Sequence, residues 1–308
     1  MPSKKILIPV IAVLPWISAC NKDVTIFADV HFSFAFDSTQ TRLDNLGEPS
    51  EVPAGHGSQS PEMQLMSIHY IELTTGSNVQ LGDGAVLYKA PETLAGGAQA
   101  ILFDSSILAS EGSDFLQIKL ERLAPGTYTY LRASVAYQQF GISYDLHNVP
   151  IYGDVLDQDG VLASFLGYNT YINDLHIQNL TTLVNANKEQ GFWGFETLFS
   201  GDLSAYNAIY TGQAPEGATT VVNPINATSP IPAGSCVVTG MFAEPLVITG
   251  DEVQDLYITF SFSTNNSFEW IDSDTDGKWD IDVLDAGATE SVVDMGIRGM
   301  IPSWEWRD

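Results

Sequence analysis

The segment of this chain that is best equipped for chemistry is an aspartate-rich run, Asp-Ser-Asp-Thr-Asp-Gly-Lys-Trp-Asp, over residues 272–280. The carboxylates of Asp272, Asp274 and Asp276 stand at the first, third and fifth positions of this run. Such oxygens converge on one point when the chain turns tightly at the sixth position, where Gly277 permits the turn. The carbonyl of Lys278 then supplies the seventh position. This spacing predicts a calcium loop.

The ninth position of the run is Asp280, which adds a fourth carboxylate. The twelfth position, where an EF-hand has a bidentate Glu, is Val283, so Asp282, Asp285 or the more distant Glu290 would have to complete the shell. Hard oxygen ligands, with no His or Cys nearby in the sequence, select calcium over zinc or copper. The alternative is an acidic hairpin tip without an ion, because Asp and Gly are ordinary turn residues.

No helical pattern precedes the aspartate-rich run, and Ser267-Phe268-Glu269-Trp270 has the pattern of a strand end. The nine residues therefore resemble the calcium loops of dockerins and thrombospondin-type repeats rather than a helix-loop-helix sensor. We expect a calcium affinity in the millimolar to submillimolar range of extracellular modules. The expected role is structural, because buffering or switching needs an element that moves.

A second chemical feature is a cysteine that closes an export signal. Two lysines precede an apolar run over residues 6–16, and Ser18-Ala19 lead directly into Cys20. This order resembles the lipobox of bacterial lipoproteins, in which the cysteine is acylated. A membrane-spanning helix is disfavoured, because eleven residues rise only about 16 Å against a hydrocarbon core of about 30 Å. We expect residues 1–19 to be a signal peptide and residues 20–23 to be a lipidated N-terminus with a short tether.

The residue that follows the lipobox cysteine also predicts the membrane to which the protein is sorted. Asn21, rather than Asp, follows the cysteine, and by resemblance to the retention rules of bacterial lipoproteins this favours the outer membrane. The lipid implies an exported protein on the periplasmic or cell-surface face, in contact with the membrane and with envelope proteins. In its acidic composition and its lipobox, the chain resembles envelope lipoproteins of the Bacteroidetes.

The net charge and the cysteine content of the chain give two further expectations, one about its partners and one about Cys236. The chain has 38 acidic and 12 basic residues and a formal net charge of −26, so phosphates would be repelled and nucleic-acid binding is disfavoured. If Cys20 is acylated, the other cysteine, Cys236, has no partner in the chain. Its apolar surroundings predict a buried, inert thiol.

Strand patterns dominate the sequence. Val30, Phe32, Phe34 and Phe36 alternate with His31, Ser33, Ala35 and Asp37, with the period of two that buries one face of a strand. Gly- and Pro-containing turns separate the other strand candidates, which are Met66–Leu73, Ala85–Ala90, Phe115–Leu120, Tyr128–Tyr137, Val237–Phe242 and Leu256–Phe262. Many strands at short spacing predict an all-β, antiparallel β-sandwich. One short amphipathic helix is predicted over Thr181–Glu189.

The sandwich is expected in two parts, residues 24–144 and 227–308, the second part carrying the aspartate-rich loop. Between them, residues 145–226 are rich in Asn, Gly and aromatic residues, which predicts either long loops or a small inserted β subdomain. Tyr168, Tyr171 and Trp193 of this section could present flat faces to sugar rings. The alternative is that they are core aromatics.

The sequence favours a protein that is not an enzyme. Its five histidines are scattered, and we find no nucleophile elbow, P-loop or dinucleotide fingerprint. The leading hypothesis is therefore a membrane-anchored lipoprotein that acts as a non-enzymatic binding or interaction module with a structural calcium ion. A surface glycan-binding protein is one alternative.

A second alternative comes from two short stretches, Met63–Leu73 and Leu123–Thr129, the latter containing a Pro-Gly-Thr-Tyr turn. They resemble parts of the MbnP-like family, exported bacterial β-sandwich proteins associated with copper uptake. The resemblance implies a copper-handling accessory protein. The histidine and modified tryptophan of that family's copper site match no positions here, so no copper ligand is carried over.

Overall fold

A computed structural model describes residues 28–44, 47–214, 232 and 234–308. The expected signal peptide, Cys20 and the tether lie outside these residues. Strands make up most of the described chain, with three short 3-10 helices at Phe103–Ser105, Leu120–Arg122 and Gly201–Tyr206. The strands are β1 Asp29–Asp37, β2 His56–Gln59, β3 Glu62–Thr74, β4 Ala85–Lys89, β5 Glu92–Thr93, β6 Ala100–Leu102, β7 Asp114–Lys119, β8 Gly126–Val149, β9 Gly153–Phe165, β10 Asn169–His176, β11 Thr181–Glu189, β12 Phe192–Thr197, β13 Ile209–Gln213, β14 Cys236–Ile248, β15 Asp255–Ser263, β16 Phe268–Ile271, β17 Asp280–Asp282, β18 Val292–Met295 and β19 Met300–Arg307.

The long strand β8 organises the molecule, because it forms pairs along both of its edges over 24 residues. On one edge it pairs antiparallel with β3 and then, further along, parallel with β17. On the other edge it pairs antiparallel first with β14 and then with β9. The start of β8 therefore belongs to one packed region and its end to another.

The first packed region is a sandwich. One layer is the sheet in the order β19-β15-β1-β7, and the other contains β14, β3, β4 and the start of β8. Val30, Phe32 and Phe34 of β1 point into the core between these layers and meet Leu131 and Val135 of β8. The predicted alternation in β1 is thus confirmed for these three residues, whereas Phe36 near the end of the strand is only half-buried against the same core. Burial of the large apolar side chains drives the two layers together.

The second packed region surrounds the end of β8, with β9, β12 and β13 continuing the same sheet. Trp279 is buried there against Phe195 and Tyr144, and Trp270 is buried against Phe268. A further core, formed by Phe165 and its neighbours, lies beneath the sheet β11-β10-β6-β5. Described residues 145–214 are thus built mainly from strands, and residues 215–226 lie outside the description.

The all-β, sandwich-like architecture is confirmed, and each of the six further strand candidates falls largely on a strand. The helix predicted over Thr181–Glu189 is wrong, because this segment is β11 and pairs antiparallel with β10. Its β-branched Thr181, Thr182 and Val184 suit a pleated strand better than a helix. The pairs β1–β15, β6–β10 and β8–β17 are parallel within this mostly antiparallel fold.

Two smaller observations bear on the expectations. Among the residues that the structure describes, no helix is both long enough and apolar enough to cross a bilayer. Cys236 is buried in the first core, and burial raises the pKa of its thiol to about 12. A thiol held in its protonated form is a poor nucleophile, as expected for an inert core residue.

Candidate metal site

The aspartate-rich run forms a compact loop between β16 and β17. Asp272 organises it, since its Oδ1 accepts a hydrogen bond from the Thr275 amide at 2.8 Å and its Oδ2 accepts one from the Gly277 amide at 3.2 Å. Gly277 has a φ of +79°, and Thr275 a φ of +66°. A glycine takes up the first of these angles without strain, so Gly277 makes the tight turn that its position predicts.

The loop brings carboxylates together in three overlapping groups, in each of which one oxygen per residue lies within 4.8 Å of the others. The groups are Asp272, Asp274 and Asp276; Asp145, Asp276 and Asp280; and Asp274, Asp280 and Glu290. Asp274, Asp276 and Asp280 each belong to two groups. The aspartates at the first, third, fifth and ninth loop positions therefore converge on one region together with two carboxylates from elsewhere in the chain.

Glu290 anchors the inner side of the loop. Its side chain accepts hydrogen bonds from the Ser273 amide at 2.6 Å and the Asp280 amide at 3.2 Å. Its backbone carbonyl accepts a hydrogen bond at 3.0 Å from the indole of the buried Trp279. Of the three residues considered for completing the shell, the structure thus brings Glu290 to the loop.

The other two, Asp282 and Asp285, lie outside the three carboxylate groups. Oδ1 of Asp282 accepts hydrogen bonds from the amides of Leu284 and Asp285, and its Oδ2 accepts one from the Asn148 side chain. Oδ1 of Asp285 accepts one from the Gly287 amide. Both carboxylates therefore shape the turn that follows β17.

Asp145 is the residue that sequence reasoning missed. It lies on β8 directly beside Asp280, because β8 and β17 pair in parallel there. Its amide donates to the carbonyl of Trp279 at 3.0 Å, and its carboxylate accepts from the Asp157 amide at 2.6 Å. Asp145 is 6 % exposed. Nothing in its local sequence links it to a loop so distant along the chain.

The electrostatics of the cluster favour a cation. Burial raises the pKa of Asp280 above its ordinary value, the hydrogen bond and charge of His147 oppose this rise, and the charges of Asp276 and Asp274 add to it. Burial also raises the pKa of Glu290, with a contribution from Asp280. A positive ion among these oxygens would remove the repulsion that opposes their ionisation.

The basic groups nearby offset only part of the negative charge of the cluster. The Lys278 ammonium pairs with Asp157 at 2.5 Å, so it is held at the side of the cluster by a carboxylate outside the three groups. Nε2 of His147 lies 3.2 Å from Oδ1 of Asp280. The amide of Lys278 donates to Oδ1 of Asp276 at 2.8 Å, which closes the turn at the position where its carbonyl was predicted to serve as a ligand.

The three aromatics considered for sugar binding lie in different surroundings. The Tyr168 hydroxyl donates to Glu92 at 3.3 Å, and the Tyr171 hydroxyl donates to Asn185 on β11 at 2.8 Å. Trp193 packs against the second core. Among the described residues, no ring contact joins one of the three to another.

The histidines likewise have separate partners. The carboxylate groups described above contain none of them. The nearest polar partners are Asp114 for His31, Glu269 for His56, Glu92 for His69, Asp280 for His147 and Thr181 for His176.

Comparison of the chain with protein-family models, curated proteins and solved structures gives no match.

Proposed function

We propose that this protein is an exported, lipid-anchored, non-enzymatic binding module whose aspartate-rich loop holds a structural calcium ion. The observation that carries the calcium proposal is the convergence of six carboxylates in three overlapping groups. Calcium takes six to eight oxygen ligands in flexible geometry, and a set of carboxylates suits it better than it suits zinc or copper.

The proposed role is structural because of what the loop connects. It joins β16 to β17, and β17 pairs with β8 at Asp145. Glu290 and Trp279 tie the loop to the buried core of the second region. An ion at the cluster would fix these elements relative to one another, which stabilises the fold without requiring any part to move.

Metal analysis tests the calcium proposal directly. The purified protein is stripped with a chelator, dialysed against equimolar calcium and copper, and analysed for bound metal. We expect calcium in a fixed ratio to protein, with a reduced ratio in the Asp274→Asn variant. Bound copper without calcium would contradict the proposal and favour the copper-handling alternative instead. That alternative and the glycan-binding one stay predictions, because no contact among the described residues favours either.

The lipid anchor rests on the sequence around Cys20. Two or three acyl chains hold a protein firmly, since each buried CH₂ contributes about 0.8 kcal/mol. We expect the wild-type protein to sediment with outer membranes and to carry acyl chains detectable by mass spectrometry. The Cys20→Ala variant should lack the acyl mass and leave the membrane fraction, with Cys236→Ala as the matched control that remains there. An unacylated wild-type protein would refute the anchor.

A further inference from the structure

A cleft opens at the end of β8 remote from the aspartate-rich loop, where the start of β8 pairs with the end of β14. It has a volume of about 570 Å³ and is bounded on one side by β14 and the turn that follows it, and on the other by β19. This volume lies within the range of small-molecule sites. The cleft involves none of the residues of the candidate metal site.

Two tryptophans form one wall of the cleft. Trp304 and Trp306 alternate along β19 and are half-buried, resting against the edge of the first core. Their ring centroids lie 6.5 Å apart at an interplanar angle of 69°. The Trp304 indole donates to the carbonyl of Glu244 on β14 at 2.9 Å, which fixes its orientation. The two rings therefore stand at a steep angle to each other and do not form one flat platform.

The charged residues that line the cleft are all acidic: Asp251, Glu252 and Asp308. Glu252 is held in its ionised form, because its carboxylate accepts hydrogen bonds from Thr249 and Gly250 that, against the effect of burial, lower its pKa. The rim is thus negative next to two electron-rich ring faces.

The cation on β19, Arg307, lies on the other face of the strand from the two tryptophans. Arg307 lies over the ring of Tyr257 at 4.1 Å and pairs with Glu305. Tyr257 is on the outer face of β15, opposite the buried Leu256 and Ile258. The Arg307 guanidinium therefore does not neutralise the ring faces inside the cleft.

We propose that this cleft binds a small organic cation of the quaternary-ammonium type. Trp is the best aromatic partner for such a cation, because its ring face carries negative potential, and methylated ammonium groups lose little hydration on binding. Two rings near a right angle enclose a tetrahedral cation on two sides, and the acidic rim supplies long-range attraction.

The test is a titration of the full-length protein with three probes, in which binding is measured by tryptophan fluorescence and by calorimetry. Choline is the cation, dimethylbutanol is its neutral carbon isostere, and phosphocholine adds a negative charge. We expect choline to bind about tenfold more tightly than the isostere, because only the cation gains the cation–π attraction of the indole rings. Phosphocholine should bind more weakly than choline, because the rim repels its phosphate. Equal binding of choline and the isostere, or no binding of choline up to millimolar concentration, would overturn the proposal.

Variants locate the site. Trp306→Ala should abolish choline binding, and Asp251→Asn should weaken it severalfold without disturbing the core. Glu305→Gln is the matched control, because Glu305 lies on the outer face of the same strand. If Trp306→Ala does not fold, Asp251→Asn decides the question. Unchanged affinity in Asp251→Asn, or an equal loss in Glu305→Gln, would refute the assignment.

Discussion

Removal of calcium should lower the melting temperature of this protein, and Asp274 is the residue at which to test this. Its carboxylate belongs to two of the three groups, and Asn keeps the shape and the oxygen that accepts the Asp276 amide at 3.2 Å. Asp274→Asn therefore removes a charged ligand and leaves the hydrogen bond of the turn in place.

The size of the effect follows from linkage. For a dissociation constant of about 0.1 mM and about 2 mM calcium, binding stabilises the folded state by about 1.8 kcal/mol. At about 2–4 °C per kcal/mol, the wild-type midpoint should rise by about 4–7 °C over its value in chelator. A tenfold weaker site in Asp274→Asn would leave roughly 0.7 kcal/mol, which is about a third of the shift.

The assay is thermal unfolding followed by circular dichroism, at constant ionic strength. Constant ionic strength matters because the chain carries a net charge of −26, which any added salt screens. Asp285→Asn is the matched control, since Asp285 lies outside the carboxylate groups and should leave the calcium shift intact. The same midpoint in calcium and in chelator would refute the reasoning, and so would a full calcium shift in Asp274→Asn.

Two further predictions concern charged side chains outside the carboxylate cluster, the partly buried Glu92 and the fully buried Glu72. Burial opposes ionisation of Glu92, but hydrogen bonds from His69, Gln99 and Lys89 outweigh it and lower its pKa from 4.5 to about 2. The ionised Glu92 carboxylate therefore stabilises the fold above pH 4.5, and this contribution is lost toward pH 2. Between these two pH values, the free energy of unfolding measured by denaturant titration should fall by about 1–2 kcal/mol less in Glu92→Gln than in wild type, after allowance for solvent screening. An equal fall in both proteins would contradict this. Arg132→Met should lower the free energy of unfolding in urea by about 3–5 kcal/mol, because it leaves the fully buried Glu72 carboxylate without the ion-pair partner that lies 3.6 Å away. The double variant Arg132→Met, Glu72→Leu should recover most of this loss, because no buried charge is left unpaired. A cost below about 1 kcal/mol would show that the pair is not desolvated.

Much of the local structure could be predicted from the sequence. The alternation of Val30, Phe32 and Phe34 predicts a strand with one buried face, and the structure buries all three. Gly277 at the sixth position of the loop predicts a tight turn, and its φ of +79° confirms it. These features depend on backbone preference and side-chain periodicity, which are properties of neighbouring residues. Periodicity was ambiguous at Thr181–Glu189, where a helix was predicted and a strand is present, because a short segment takes its conformation from the strand it pairs with.

What the tertiary structure alone decided is which distant residues meet. Asp145 joins the carboxylate cluster only because β17 pairs with the end of β8, and Trp304 faces a cleft only because β19 lies beside β14. The sequence by itself determined the all-β class, the acidic charge and the spacing of the aspartates, since each follows from composition or from residues close together. Asp145 reaches the cluster from a strand far away in the sequence, and the cleft joins β19 to a strand whose Glu244 lies 60 residues from Trp304. The local sequence pattern carries no signal for such distant contacts.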